Sequence, residues 1–338
     1  MRVRPHRPAA RRTRVPRALH HCSLTSGALL VAVTALAAAA CRSADETHDA
    51  TIGEPLLPAV FDDVREARGA FVAAHRGGPG PGLPENALET LESGFAAGIR
   101  MFEIDVAESQ DGVLYLMHDR SLRRTAGFDG AVADTDWDVV RGLDLRDVDG
   151  APTGFHPPRL ADVLAWAVER GALLELDRKD TTSFRHVTDA VRAAGAEDHV
   201  LLITYDDDEA ALVARIAPEL MMTAAVRNEA QRTRLEAAGV DMTRVVSWLG
   251  TREPDPEAAR SLARAGVESA FGTLGRPGRR LDDAYAEDGD ASEYRALVEG
   301  GITLIATDLP RFVADGLEAD EVAAGLLERA YAARRAAR

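Results

Sequence analysis

The sequence predicts an α/β chain folded as one (β/α)8 barrel, a TIM barrel, with a small insertion after the second strand. Three observations predict it. Eight short apolar runs of strand length recur between residues 71 and 306, amphipathic runs with helical spacing separate most of them, and the span is close to the roughly 250 residues of such barrels.

The strand-like runs are residues 71–75, 101–105, 173–177, 200–204, 221–226, 244–248, 268–272 and 302–306. Helical periodicity is clearest at 86–97, 160–170, 206–216, 228–238 and 257–265. After the second run, Asp111-Gly112 makes a tight turn and 113–117 returns as a hairpin arm. Residues 119–158 are rich in Gly and Asp and lack periodicity, which marks the insertion. An open doubly wound sheet satisfies the same pattern, because alternation does not report closure.

The first 17 residues hold seven arginines and no acid; the remaining 33 basic residues face 55 acidic ones, a balance of −22 against −15 for the whole 338-residue chain. A field of that sign repels phosphate backbones, which argues against a nucleic-acid partner. A small anionic substrate then needs a metal or a few placed cations. An apolar run at 27–40 ends at Cys41, and a polar stretch follows at once. Residues 1–41 therefore read as a signal peptide, with Cys41 in the position of a bacterial lipobox cysteine; ordinary cleavage near Ala40 is the alternative. On the first reading the protein is exported and lipid-anchored to the outer face of the cytoplasmic membrane, with no other membrane contact. Residues 42–68 read as a tether and 69–335 as the barrel. The chain's two cysteines, Cys22 and Cys41, both precede that body, so it holds neither a disulfide nor a cysteine metal site.

Barrel chemistry sits at the C-terminal ends of strands. There the first strand gives His75-Arg76-Gly77, the second Glu103-Ile104-Asp105, and the third Glu175-Leu176-Asp177-Arg178-Lys179. Residues two apart share a face, so Glu103 pairs with Asp105 and Glu175 with Asp177. Carboxylates converging on one small volume need shared protons or a cation, and hard oxygen ligands suit Mg²⁺ or Ca²⁺. His75 and His118 follow apolar runs beside these acids and titrate near neutrality. Lys179 is the only lysine in the chain.

In this order His75-Arg-Gly, Pro84-Glu-Asn86, Glu103-x-Asp105, Asp111-Gly, His118-Asp119, Leu122-x-Arg-Thr125, Pro158-x-Leu160, Asp177-x-Lys179 and the run through Thr307-Asp308 resemble the glycerophosphodiester phosphodiesterase family. The resemblance spans essentially the whole folded body. It implies a TIM barrel in which His75 and His118 are general acid and base. It also implies that Glu103 and Asp105 hold the metal, that Arg76 and Lys179 meet the phosphate, and that Glu85 assists at the rim. The implied reaction is attack by a glycerol hydroxyl on phosphorus, departure of an alcohol, and opening of the cyclic intermediate by water, leaving glycerol 3-phosphate. A phospholipase D-like enzyme for lysolipids or sphingolipids, and a non-catalytic solute-binding lipoprotein, are the competing readings.

The family's third metal ligand is usually Glu in a Glu-x-Lys strand, whereas this chain has Asp177-x-Lys179. Glu175 shares its face, but at about 3.3 Å of rise per residue Asp177 lies about 6.6 Å nearer the C-terminal end, which favours Asp177. Trp137, Trp166 and Trp248 are expected in packing roles. The substrate's head group and the oligomeric state have no signature in the sequence.

Overall fold

The computed structural model describes residues 55–337. Eight parallel strands close into a barrel: β1 (Phe71–Ala74), β2 (Met101–Glu108), β4 (Leu173–Arg178), β5 (Val200–Ile203), β6 (Met221–Ala224), β7 (Val245–Trp248), β8 (Glu268–Gly272) and β9 (Leu304–Thr307), with β9 and β2 both paired to β1. The remaining strand, β3 (Leu114–Leu116), is the antiparallel hairpin arm on β2. All eight expected strands form, and closure excludes the open sheet. The helices Leu160–Arg170, Asp207–Ile216, Glu229–Ala237 and Pro256–Arg264 match the periodic runs to within a residue or two at each end. Asp206, Asn228 and Asp255 cap the last three by accepting backbone N–H bonds in the first turn.

Alternation along the strands divides the apolar residues into two layers. Val72, Phe102, Ile104, Leu174, Leu176, Leu202 and Ile305 face the helices, whereas Phe71, Met101, Leu173, Leu201, Met221, Val246 and Leu304 fill the floor of the barrel. The tether expected over 42–68 ends earlier than that, because residues Leu56–Glu66 form a helix, α1. Leu56, Leu57, Val60, Phe61 and Val64 make one apolar stripe that covers the floor together with Ala323, Leu327 and Tyr331 of the C-terminal helix. Pro58 is tolerated because it lies in the first turn. Cys41 and the signal-peptide residues 1–41 lie outside the described residues. The insertion builds a small core of its own, in which Leu122, Val132, Trp137, Val140 and Leu145 pack on Tyr115 and Met117.

Candidate active site

Register decides which acids meet. β2 and β4 are neighbours with Met101 opposite Leu173, Glu103 opposite Glu175 and Asp105 opposite Asp177. Two acid pairs therefore rise side by side from the apolar floor to the mouth. Ligand atoms of Glu103, Asp105 and Asp177 all lie within 4.8 Å of one another, and all three residues are buried. Glu175 is outside this trio and lines the adjoining cavity. Burial, then the charges of Asp105 and Asp177, push the Glu103 carboxyl well above its ordinary range. Burial and Asp177 push Glu175 up to about 8.

Glu103 and Asp177 each have one oxygen committed, and Asp105 has both. Glu103 Oε2 accepts the backbone N–H of Arg76 at 2.7 Å. Asp105 Oδ2 accepts from Asn86 Nδ2 at 2.6 Å, while the Asp105 backbone donates to Asn86 Oδ1 at 2.9 Å. Asp177 Oδ2 accepts from Tyr205 Oη at 2.8 Å and from Lys179 Nζ at 2.5 Å. Lys179 also reaches Asp105 Oδ1 at 2.5 Å. Burial alone would lower the lysine's pKa, but the two aspartates outweigh it and hold the ammonium charged. Asp177 Oδ1 is buried with no partner. A trio of hard oxygen donors with an orphaned oxygen among them fits a divalent cation.

The local backbone explains the His75-Arg-Gly sequence. Arg76 sits at φ 53°, which turns its N–H onto Glu103 at a cost of roughly 1–2 kcal/mol for a residue with a Cβ. At Gly77 a Cβ would stand 2.8 Å from Leu91, so no larger residue fits. The Arg76 guanidinium points to Glu85 at 3.2 Å and lies 3.9 Å from Asp105. Glu85 in turn takes a two-pronged bond from Arg124 at 2.7 and 2.8 Å.

The two histidines have matching partners. His75 Nδ1 lies 2.6 Å from Asp308 Oδ1, and His118 Nδ1 lies 2.7 Å from Asp119 Oδ1. A proton on Nδ1 shared with the carboxylate leaves Nε2 for the substrate; for His75 that atom stands 4.0 Å from Glu103 Oε2. Burial pushes Asp308 up, but the bonds from His75, Gly275 N–H and Arg280 outweigh it and bring it to about 2. Arg124 and then, against burial, His118 bring Asp119 to about 2 as well. Both carboxylates therefore stay ionised at neutral pH, each bonded to its imidazole.

Two cavities meet at Asp177 and Tyr205. One, of about 310 Å³, is lined by His118, Asp119, Arg120 and Lys179 among others; the second, of about 210 Å³, by His75, Glu103, Glu175, Ile203, Trp248 and Leu274. Trp137 and Trp166 are buried in packing roles as expected, but Trp248 is a correction, because it is half-buried and forms a cavity wall. Gly272 makes room for it, since a Cβ there would lie 2.7 Å from the indole. The structure thus brings together His75, Arg76, Glu85, Glu103, Asp105, His118, Asp177 and Lys179. Sequence reading gave no role to Asn86, Asp308, Arg124 or Tyr205. Asn86, Asp308 and Arg124 stood in the motifs that carry the family resemblance, whereas Tyr205 had no signal beyond its position at a strand end.

The model of the glycerophosphoryl diester phosphodiesterase family matches residues 75–308. A Bacillus subtilis protein, YqiK, is 35% identical over 170 residues, covering 48% of this chain and 70% of its own. A Mycobacterium tuberculosis protein named "probable glycerophosphodiester phosphodiesterase 2" is 30% identical over 139 residues, which is 41% of this chain and 50% of that relative. Among solved structures, a glycerophosphoryl diester phosphodiesterase of Parabacteroides distasonis superposes with a TM-score of 0.64 at 26% identity, covering 76% of this chain and 90% of that one.

Proposed function

Because the chain belongs to the glycerophosphoryl diester phosphodiesterase family, and so to the phosphoric diester hydrolases, we propose that it cleaves a glycerophosphodiester to an alcohol and glycerol 3-phosphate. His75 and His118 carry the protons, and Glu103, Asp105 and Asp177 hold one divalent ion, Mg²⁺ or Ca²⁺. The observation that carries this reading is the pair of Asp-bonded histidines lining two cavities that meet at one carboxylate trio. With the phosphate beside the trio, one imidazole Nε2 removes the proton of the attacking hydroxyl as its O–P bond forms. The other imidazolium delivers a proton to the departing alcohol as the second P–O bond breaks. Water, deprotonated by the imidazole so formed, then attacks the cyclic phosphate, and the ring P–O bond to the attacking hydroxyl breaks as that oxygen takes a proton from the other histidine, leaving glycerol 3-phosphate. Asp308 and Asp119 fix the ring orientations. The ion, when bound, supplies positive charge to the phosphoryl oxygens. Arg76 and Lys179 add cationic donors from the chain itself.

Purified protein incubated with glycerophosphocholine tests the reading by release of choline and glycerol 3-phosphate with and without chelator. Hydrolysis lost in chelator and restored by Mg²⁺ or Ca²⁺ is expected; no turnover, or full turnover in excess chelator, would sink it. A parallel assay with a lysolipid separates the phospholipase D-like reading, and binding without turnover would favour a solute-binding lipoprotein. Export and lipid attachment through Cys41 complete the proposal, supported by the Arg-rich start and the apolar run that ends there. Among the described residues no helix is long and apolar enough to cross a membrane. Cys41→Ala should move the protein from the membrane fraction to the soluble one.

A further inference from the structure

Tyr205 follows β5 and is, with Asp177, common to the linings of both cavities. The residue is 67% exposed. Yet the residue is fixed at both ends: its hydroxyl donates to Asp177 Oδ2 at 2.8 Å, and its backbone N–H donates to Glu209 Oε2 at 2.9 Å. Asp177 Oδ2 receives a second donor, Lys179 Nζ, at 2.5 Å. A carboxylate held by two donors on one oxygen has little freedom left for the other, and that other oxygen, Asp177 Oδ1, is the buried one without a partner. An aspartate has a shorter arm than a glutamate, so holding it from behind matters more. The exposed face of a tyrosine anchored at a cavity junction is apolar surface that a substrate arm can cover.

We propose that Tyr205 is both a positioning and a specificity-determining residue. Its hydroxyl turns Asp177 Oδ1 toward the carboxylate trio, and its ring is the wall between the cavities, against which the two alcohol arms of the diester lie on opposite sides. The inference rests on the trio's being the metal site. The test is calorimetric titration of Mg²⁺ alone into wild type, Tyr205→Phe and Tyr205→Ala, with glycerophosphocholine and glycerophosphoethanolamine kinetics alongside. Tyr205→Phe keeps the ring, so its Mg²⁺ dissociation constant should rise roughly 10- to 100-fold, as for loss of a group that orients a metal ligand. Its preference between the two substrates should stay that of wild type, because the ring is kept. Tyr205→Ala should lose the same metal affinity and in addition raise KM severalfold and change the preference between the two substrates. Unchanged Mg²⁺ affinity in Tyr205→Phe, or unchanged KM and preference in Tyr205→Ala, overturns the role given to Tyr205 alone. Wild-type protein that binds neither Mg²⁺ nor, in a parallel titration, Ca²⁺ removes this inference together with the metal reading beneath it.

Discussion

The two ends of the barrel bury acids in opposite ways. At the floor, Glu268 is met by Arg65 of α1, and Asp320 accepts the backbone N–H of Val72 at 2.8 Å, both amid a closed apolar layer. At the mouth, Glu103, Asp105, Glu175 and Asp177 crowd together, and Lys179 is the ammonium that reaches two of them. Each buried floor acid is thus met by a donor, Glu268 by an Arg65 that also pairs with Asp62 and Asp320 by a backbone N–H, while the four mouth acids crowd around one ammonium. On the proposed function, stability is given up where a cation and a phosphate are to bind. Size does not mark function: a groove of about 810 Å³ at the floor, along Arg65, Arg68 and Leu317, exceeds either mouth cavity, and no carboxylate trio lines it.

If the comparison holds, variants at the mouth change turnover and variants at the floor change stability. The largest effects are expected for His75→Ala and His118→Ala, each lowering turnover by roughly 10²- to 10⁴-fold with the melting temperature little changed. Wild-type turnover in either, on an unactivated diester, would make that histidine structural. Next is Arg65→Ala, which leaves the buried Glu268 without its cation. A stability loss of roughly 3–5 kcal/mol by denaturant titration is expected, with turnover per folded molecule unchanged. A fall in turnover equal to that in stability would break the division between floor and mouth.

Asp320 sharpens the floor side through pH. Burial raises its carboxyl from 3.8 to about 7. Below about pH 4 it is neutral in both folded and unfolded chains; between pH 4 and 7 only the unfolded chain readily gives up the proton, so stability falls as pH rises. Asp320→Asn keeps an oxygen for Val72 N–H and cannot ionise. It should melt with wild type near pH 4 and several degrees higher at pH 8. Parallel melting curves across that range would refute the account. The smallest effect is expected at the mouth wall: Gly272→Ala pushes a Cβ against Trp248, and a cost of roughly 1–2 kcal/mol should come with a severalfold rise in KM. An unchanged KM would show that Trp248 does not shape the substrate cavity.

Much of the molecule was legible beforehand, for reasons that differ by element. The strands were, because alternation with period two and capped helices between them are local signals, and so was the sharing of one face by Glu103 and Asp105. α1 was missed because its six buried residues, Pro58 among them, are interleaved with Asp62, Asp63, Arg65 and Glu66, which made the segment look solvated. Trp248 was misread because its partner is the absence of a side chain at Gly272, 24 positions away.

By itself the sequence determined the order of strands and helices, the face on which each strand carries its acids, and the negative field that makes local cations necessary. These are properties of neighbours along the chain, set by backbone geometry and charge. The tertiary structure joins Asp177, already favoured over Glu175 by its place nearer the strand end, to Glu103 and Asp105, and it alone decided that Asp308 reaches His75 across 233 residues and that Tyr205 stands on Asp177. Alternation names a face but not a depth, and hydrogen bonds between distant segments depend on closure and register, which come from packing the whole barrel at once.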